Sequence, residues 1–175
     1  AACAAGAELI NDVYALRAPG AIEVAARHRA AVCLMHMLGE PRSMQDDPRY
    51  GDVVGEVGAF LAQRAEACVA GGVAREAILL DPGIGFGKTD AHNLRLLGRL
   101  DALAAPGLPL LLGVSRKSLF GRLLGLPVQQ RLGPGLAVAA LAVWQGVRVL
   151  RTHDVAATVQ AVHITTMIGR ERAGS

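Results

Sequence analysis

The sequence is poor in aromatic residues and contains only three cysteines. Phe, Tyr and Trp make up 3% of the 175 residues, while 52% are hydrophobic, so a core built mainly from Ala, Leu and Val is expected. Cys3, Cys33 and Cys68 are odd in number and have neither CxxC nor metal-ligand spacing. This pattern argues against a disulfide framework and a cysteine metal site, and it predicts small buried thiols in a reducing cytosol.

Long apolar runs and clusters of like charge are also missing. The formal net charge is +3 and the arginines are scattered singly, so no basic stripe indicates a nucleic-acid interface. We find neither a charged secretory leader nor an apolar span of about 18 residues, the length that a membrane helix needs. The length is that of one domain, residues 1–175, and the sequence predicts a cytoplasmic protein with no nucleic-acid or membrane partner.

Lysine is rare as well. Of the 18 Lys and Arg residues only Lys88 and Lys117 are lysine, and each lies in a Gly-containing loop directly after an apolar run. Lysine is a compact, mobile point charge, whereas arginine is a planar fork that keeps its proton. For Lys117, in Gly113-Val-Ser-Arg-Lys-Ser118, this selective use indicates a function. For Lys88 the sequence is equally compatible with a functional group and with a merely solvated charge.

The most informative motif is Asp81-Pro-Gly-Ile-Gly-Phe-Gly-Lys88. It follows the apolar run 77–80, which is typical of a buried strand, and it precedes an amphipathic helix. A carboxylate, an aromatic ring and an ammonium group are thus placed where parallel α/β proteins bind ligands. The spacing fits neither a nucleotide P-loop, because Pro82 stands where GxxxxGK[ST] requires glycine, nor GxGxxG, because the glycines run as GxGxG. Neither ATP nor NAD is expected here.

The chain repeats a strand-loop-helix unit five times. The predicted strands are 8–13, 31–37, 77–81, 108–114 and 147–150, and the main predicted helices are 19–29, 51–70, 91–102, 135–145 and 155–168. Apolar strands that alternate with helices predict a parallel sheet covered on both faces. Two architectures fit, an open doubly wound sheet and part of an eight-stranded barrel. Residues 1–6 resemble the end of a helix, which favours a fragment of a larger fold.

Each predicted strand ends in polar or polarizable residues, which should meet in one pocket. They are Asn11 and Asp12, Met35 to Met37, Asp81, Ser115 to Lys117, and Arg151 to Asp154. Arg151 and His153 point to the same side of an extended backbone and suit an anion such as a phosphate. Asp81 lies among leucines and needs a partner, which an N–H-rich heterocycle would supply. His36 is predicted to be structural, and Trp144 to serve packing or a subunit contact.

Five ordered motifs resemble the bacterial dihydropteroate synthase family over essentially the whole chain. They are Ile10 to Val13, Leu34 to Gln45, Asp81 to Lys88, Gly113 to Ser118, and Leu150 to Val155. The resemblance implies a (β/α)8 barrel of the folate pathway. It also implies a transferase that joins p-aminobenzoate to 6-hydroxymethyl-7,8-dihydropterin pyrophosphate with release of pyrophosphate. A cytoplasmic homodimer that uses Mg²⁺ and is inhibited by sulfonamides is implied in the same way.

The resemblance assigns roles to individual residues. Asn11 and Asp81 match groups that hydrogen-bond the pterin ring, and Met37 matches the side chain packed against it. Lys117 matches a lysine between the pterin and aminobenzoate sites, while Phe86 and Ser115 match positions that line the aminobenzoate site. Arg151 and His153 match the pair that holds the pyrophosphate. Lys117, Arg151 and His153 are therefore the expected catalytic residues.

The sequence departs from this family at its start. Three βα units that precede the equivalent of Ile10 in the family are absent. They carry an asparagine that helps to place Mg²⁺, two mobile loops and an aspartate that completes the pterin clamp. We therefore expect a partial barrel of about five βα units, one pterin-binding domain incomplete at its N-terminus, with no metal ligand of its own. Gly133-Pro-Gly135 replaces an expected hydroxyl residue, which should alter the capping of the next helix.

Two other functions remain open from the sequence. One is a related pterin-binding barrel that moves a methyl group from a methylated folate to a corrinoid. Against it, the Ser115 to Lys117 loop and the Arg151/His153 pair suit aminobenzoate and pyrophosphate. The other is a non-catalytic binding module that lacks the front of the barrel.

Overall fold

The computed structural model describes residues 1–104 and 107–173. Its strands are Leu9–Asp12 (β1), Ala31–Met35 (β2), Ile78–Asp81 (β3), Leu111–Leu112 (β4) and Val149–Leu150 (β5). Its α-helices are Ala21–Arg27 (α1), Val53–Ala70 (α2), Asp90–Leu97 (α3), Leu100–Leu103 (α4), Ser118–Leu124 (α5), Leu132–Trp144 (α6) and Val155–Ala173 (α7). Short 3₁₀ turns at Cys3–Ala5, Arg75–Ala77 and Val128–Gln130 complete the regular structure of these residues.

The strands lie side by side in chain order and run parallel. β1 pairs with β2 and β2 with β3, while β4 pairs with β5. A parallel bridge between Leu80 and Leu110 joins the two groups, and the Leu80 amide donates to the Pro109 carbonyl at 3.0 Å. A doubly wound sheet reverses its strand order at a switch point, and no such reversal occurs among these strands. The order is that of a (β/α)8 barrel arc, so the predicted partial barrel is confirmed.

Side chains on the two faces of this arc have different surroundings because strand residues alternate from face to face. Residues of one face join the helices in a single apolar core: Ile10, Val32, Leu34, Ile78, Leu80, Leu110, Leu112 and Leu150. Residues of the other face therefore point to the interior of the arc: Asn11, Cys33, Met35, Asp81, Gly113 and Arg151. The sequence led us to expect helices on both faces, and the described helices share one.

α2 shows how the helices are held against the strands. The Asp52 side chain accepts a hydrogen bond from the Val54 amide and so caps the helix start. Along the helix, Val53, Val57, Leu61 and Ala65 recur every four residues and are buried. Burial of a side chain such as Leu61 contributes about 1.5–3 kcal/mol. The stripe explains why this segment forms a long helix in contact with the sheet.

Element boundaries differ from the sequence prediction in several places. The predicted helix 91–102 is interrupted after Gly98, where the backbone of Arg99 leaves the helical conformation. α6 begins at Leu132, so Gly133 and Pro134 lie in its first turn, where proline is tolerated because its missing N–H would have no helical partner. The N-cap of α6 is Arg131, which makes no side-chain cap hydrogen bond, so Gly133-Pro-Gly135 lies inside the helix and not at its cap. The fourth and fifth strands contain two residues each and are shorter than predicted.

The cysteines largely follow the prediction. Cys33 and Cys68 are buried, whereas Cys3 is only half-buried, and all three are free thiols. Burial raises the pKa of the Cys33 thiol to about 12. Within residues 1–104 and 107–173, no helix is both long and apolar enough to span a membrane.

Candidate active site

An open cavity of about 660 Å³ lies at the C-terminal ends of β4 and β5. Its walls are formed by Gly113, Ser115, Arg116, Lys117, Ser118, Val128, Arg151, Thr152 and His153. Four of the residues predicted for the site therefore line one cavity, and three of these carry a basic side chain. Such a lining suits an anionic ligand.

Asp81, the last residue of β3, is buried beside this cavity with 3% of its surface exposed. Its Oδ1 accepts a hydrogen bond from the Gly83 amide at 2.8 Å, and its Oδ2 lies 4.0 Å from the Arg151 guanidinium. Burial raises the pKa of the Asp81 carboxyl, and the Gly83 N–H and the charges of Arg151, Lys117 and Lys88 oppose that rise. The carboxylate can therefore accept N–H donors from a ligand in a largely dry setting.

Gly113 allows Arg151 to approach Asp81. Arg151 follows β5 and Asp81 ends β3, so the guanidinium must cross β4 to come within 4.0 Å of the carboxylate. It lies over Gly113, where an added Cβ would stand 2.8 Å from Nη2 and 3.1 Å from Nε of Arg151. A side chain at this interior position would displace the guanidinium. The arginine side chain remains 48% exposed and is open to a ligand.

The side chain of Lys117 lies against the motif loop 82–88. Its ammonium group donates to the Ile84 carbonyl at 2.9 Å and stands 4.5 Å from the centre of the Phe86 ring. Burial lowers the pKa of Lys117, the charge of Asp81 opposes this, and Arg151 adds to it. Phe86 is partly exposed, so its ring and the Lys117 ammonium can both contact a small aromatic ligand.

The loops after β4 and β5 are tied together at the cavity rim. The His153 amide donates to Ser115 Oγ at 3.2 Å, and His153 Nδ1 lies 3.0 Å from the same oxygen. Arg116 binds Asp154 through both Nε (3.1 Å) and Nη2 (2.6 Å), and this bond lowers the pKa of Asp154. Arg116 adopts a left-handed backbone with φ of 58°. These two ties fix the loop that carries His153, one of the two side chains predicted to bind an anion.

The two remaining predicted site residues lie further from the cavity. Asn11 is exposed on β1, in register with Cys33, while Asp81 is in register with Met35. Two strand spacings and an offset of two residues along the strands therefore separate Asn11 from Asp81 across the interior face, a distance of about 12 Å. Met37 is buried with 4% exposure in the loop after β2. A fused-ring ligand on this face could reach from Asp81 towards Asn11.

Of the two alternatives left open for Lys88, the structure excludes the solvated charge. Its side chain is 1% exposed, donates to the Phe86 carbonyl at 2.9 Å and lies 2.9 Å from His36 Nδ1. Burial lowers the pKa of Lys88 to about 7, and burial together with the Lys88 charge lowers the pKa of His36 to about 3. His36 is structural, as alternation predicted.

Three residues of the site were missed by the sequence reasoning. The sequence pattern gives Gly113 only as the start of a motif and Asp154 only as a polar residue at a strand end, and it leaves the role of Lys88 open. The scarcity of lysine was the one signal available for Lys88. Among residues 1–104 and 107–173, no group of three or more His, Cys, Asp and Glu side chains could hold a metal ion.

A comparison with known families matches residues 1–153 to the family described as pterin binding enzyme. The chain is 46% identical over 159 residues to dihydropteroate synthase of Escherichia coli K12, covering 91% of this chain and 56% of that protein. It is 47% identical to the dihydropteroate synthase of Neisseria meningitidis serogroup C, covering 94% and 59%. It is also 41% identical to a Mycobacterium bovis protein named inactive dihydropteroate synthase 2, covering 96% and 54%.

Solved structures give the same result. A dihydropteroate synthase of Yersinia pestis in a sulfonamide drug complex superposes with a TM-score of 0.92 at 48% identity, covering 95% of this chain and 60% of that one. The Xanthomonas albilineans enzyme with 4-aminobenzoic acid superposes with a TM-score of 0.88 at 45% identity, covering 95% and 59%. The chain thus spans little more than half the length of these relatives. The resemblance read from its motifs is confirmed, and the chain belongs to the family of pterin binding enzymes.

Proposed function

We propose that this chain carries the substrate-binding part of a dihydropteroate synthase. The reaction joins p-aminobenzoate to 6-hydroxymethyl-7,8-dihydropterin pyrophosphate and releases pyrophosphate. The observation that carries the proposal is the approach of Arg151 to Asp81 across Gly113. A carboxylate that can bind an N–H-rich ring thus lies directly beside a guanidinium that can bind an anion, and a pterin pyrophosphate contains both kinds of group.

The proposed roles follow from this arrangement. Asp81 and Asn11 accept and donate hydrogen bonds at the pterin ring, and Met37 supports the ring from within the protein. Phe86, Ser115 and Lys117 line the aminobenzoate site. Arg151 and His153 bind the pyrophosphate. Lys117 adjoins both the Phe86 ring and the charge of Asp81, so it lies at the boundary of the two substrates.

The chemistry requires charge stabilisation more than proton transfer. The amino nitrogen of p-aminobenzoate forms a bond to the methylene carbon of the pterin, and the bond from that carbon to the pyrophosphate oxygen breaks. The electron pair of that bond leaves with the pyrophosphate, and the proton that the amino nitrogen loses passes to solvent. Cations already held at the cavity rim stabilise the charge that develops there, which lowers the barrier without reorganisation. An Arg–phosphate contact of this kind contributes on the order of 1.5–3 kcal/mol.

Mg²⁺, which the resemblance implies, does not fit the residues described here. The cavity lining is cationic, and the described residues contain no carboxylate and histidine group that could hold the ion. A hard cation of this kind prefers oxygen ligands and substrate phosphates. The roles proposed for the residues of this chain therefore do not depend on Mg²⁺.

The ligands found in structures of related proteins support the proposal. The Yersinia pestis structure contains a sulfonamide drug, and two Xanthomonas albilineans structures contain 4-aminobenzoic acid and 7,8-dihydropteroate. Carried to this chain, these ligands make p-aminobenzoate, sulfonamides and a pterin its proposed small-molecule partners. The Mycobacterium bovis relative named as inactive supports a second candidate, a pterin-binding module without turnover.

Calorimetry and a product assay test these proposals together. The purified chain is titrated with 6-hydroxymethyl-7,8-dihydropterin pyrophosphate, then with p-aminobenzoate in the presence of pyrophosphate, and dihydropteroate is measured by chromatography. Binding of both ligands with product supports the synthase. Binding without product supports the binding module, and an intact mass of the native protein then shows whether further βα units are attached. Binding of a methylated folate but not of the pterin pyrophosphate would support the corrinoid methyltransferase instead.

We further propose a homodimer formed through α6 and α7. Both helices expose large apolar side chains, among them Leu141, Trp144, Met167 and Ile168. Sedimentation equilibrium of the chain tests this dimer, and Leu141→Asp should shift it towards monomer.

The three free thiols fit a proposed cytoplasmic location, where they stay reduced.

A further inference from the structure

Lys88 is the one cation of the site that no ligand can touch. Its side chain is fully covered, and its ammonium group is in contact with three acceptors: the Phe86 carbonyl (2.9 Å), His36 Nδ1 (2.9 Å) and the His36 carbonyl (3.4 Å). An ammonium group has three donors, so the set is complete. Burying a charge is costly unless it is paired and hydrogen-bonded, and a group arranged in this way calls for an explanation.

The acceptors of Lys88 belong to two loops that border the proposed pterin site. One loop follows β2 and contains His36 and Met37, and the other follows β3 and contains Phe86. The loops are in close contact, since a Cβ at Gly83 would collide with the His36 carbonyl and a Cβ at Gly87 with that of Leu38. Both glycines have a positive φ, which other residues rarely adopt. Lys88 therefore joins two loops that already interlock through their backbones.

Lys88 also acts on Asp81 through its charge. Arg151, Lys117 and Lys88 are the three cations whose charges favour the ionised form of this carboxylate. Arg151 and Lys117 line the open cavity, where solvent screens them and an anionic ligand would engage them. Lys88 is shielded from both effects because it is buried.

We propose that Lys88 is a positioning residue of the pterin site, which fixes the loop that carries Phe86 and supplies Asp81 with a positive charge that substrates cannot reach. The inference rests on the proposed function because that function assigns Asp81 to the pterin. Lys88 acts through Asp81 and Phe86, and it does not itself contact a substrate.

The titratable groups around Lys88 make this role dependent on pH. His36 is neutral above pH values near its lowered pKa of about 3, and the pKa of Tyr50, whose hydroxyl donates to the Gly87 carbonyl, is raised by burial to about 12. Neither group changes charge near neutrality. Lys88, with a pKa lowered by burial to about 7, gains its proton as the pH falls below neutral. Lys88 thus gains its charge as the pH falls, which is also the direction in which the buried Asp81, whose pKa is raised, loses its own charge; Lys117 and Arg151 are the other charges that face this carboxylate.

The scarcity of lysine gives this proposal a direct test. A sample labelled with ¹³C-lysine contains two Cε signals, from Lys88 and Lys117, and Lys117→Gln assigns them. The Lys88 signal should titrate well below the ordinary lysine range. In a ¹³C-aspartate sample, the Asp81 carboxyl signal should titrate at a pH about one unit higher in Lys88→Met than in the wild type. An unchanged Asp81 midpoint would overturn the proposal.

If Lys88→Met does not fold, the proposal can still be tested on the wild-type chain alone. Because the coupling between two titrating groups is reciprocal, the Asp81 signal of the wild type should show a second inflection at the Lys88 midpoint. A single inflection, with the Lys88 signal titrating elsewhere, would show that the ammonium does not act on Asp81.

Binding of the uncharged 6-hydroxymethyl-dihydropterin separates positioning from simple structural support. Lys88→Met should lose up to about tenfold more affinity at a pH near the Asp81 midpoint measured in the carboxyl titration than at a pH well above it, since one pKa unit of Asp81 corresponds to a factor of ten. Ile84→Val, which perturbs the same buried loop without a change of charge, should lose equally at both values. An equal loss for Lys88→Met would make Lys88 merely structural. If the wild type binds no pterin at either pH, the proposed function fails, and the carboxyl titration still decides the role of Lys88.

Discussion

The guanidinium of Arg151 lies 4.0 Å from the carboxylate of Asp81, although the two residues belong to strands separated by β4. The guanidinium can cross that strand because Gly113 has no side chain. The contact couples the proposed pyrophosphate site to the proposed pterin site. A change at Arg151 should therefore affect both ligands, and the extent should depend on the charge state of Asp81.

Gly113→Ala tests the path of the arginine. The added Cβ would stand 2.8 Å from Arg151 Nη2 and push the guanidinium away from Asp81 and the cavity. We expect pyrophosphate affinity to fall roughly ten- to a hundredfold, as for a lost charge-assisted contact. Gly133→Ala is the control, since its Cβ would meet nothing within 4 Å. Calorimetry that finds the same affinity in both variants would contradict the assigned path.

Arg151→Ala should weaken the binding of pyrophosphate without weakening the binding of the pterin alcohol, but only at higher pH. Burial raises the pKa of Asp81 and Arg151 opposes the rise, so loss of the arginine raises that pKa further. At pH 8 we expect pyrophosphate affinity to fall roughly ten- to a hundredfold with little change for the uncharged pterin alcohol. As the pH is lowered towards the raised pKa of Asp81, both affinities should fall. Equal losses of both ligands at pH 8 would mean that Arg151 maintains the pocket and does not recognise phosphate.

Lys117→Ala should mainly impair use of p-aminobenzoate. The ammonium is held by the Ile84 carbonyl and lies against the Phe86 ring, so its loss opens the boundary between the two proposed substrate sites. We expect p-aminobenzoate affinity to fall about tenfold or more while the thermal midpoint changes little. Lys88→Ala should instead lower the thermal midpoint strongly, because it empties a buried position. Calorimetry and thermal melts of both variants check this contrast.

Asp154→Asn tests the tie between the loops after β4 and β5. It weakens the bidentate contact with Arg116 and should lower anion affinity several-fold through greater freedom of the neighbouring His153. Asp90→Asn is a matched control, because Asp90 makes a similar bidentate contact with Arg122. Neither Asp90 nor Arg122 lines the cavity. Both variants should lose little thermal stability. If sulfate or pyrophosphate binds equally well to both, the tie has no part in preparing the anion site.

Lys88 should make the chain more stable at alkaline pH. Its pKa is lowered from 10.5 to about 7 by burial, so between these values the unfolded chain binds a proton that the folded chain lacks. The contribution of Lys88 to the free energy of unfolding is therefore complete above pH 10.5 and is lost as the pH falls to 7. Between these values the free energy of unfolding changes by up to about 1.4 kcal/mol per pH unit. Urea unfolding from pH 7 to 10 should show this rise in the wild type and not in Lys88→Met. Parallel profiles would refute a buried ammonium.

The order of strands and helices and the positions of the site residues could be read from the sequence to a large extent. Apolar runs such as 77–80 bury both faces of a strand, and a polar residue that ends such a run, like Asp81, must lie at the sheet edge. Local patterns of this kind depend on neighbouring residues alone. The boundaries were less certain because Gly98 interrupts a helix and the last two strands are short, and pairing partners decide such ends.

The tertiary structure alone decided the environment of individual side chains. A lysine after a glycine-rich loop looks the same in sequence whether it is solvated or buried, and only the contact between loops 36–38 and 82–88 covers Lys88. In the same way, Arg151 and Asp81 are 70 residues apart in the sequence (151 − 81), and their approach depends on the order β3-β4-β5 and on Gly113 between them. Burial and long-range charge contacts arise from which segments meet in space, and residue spacing along the chain does not specify that.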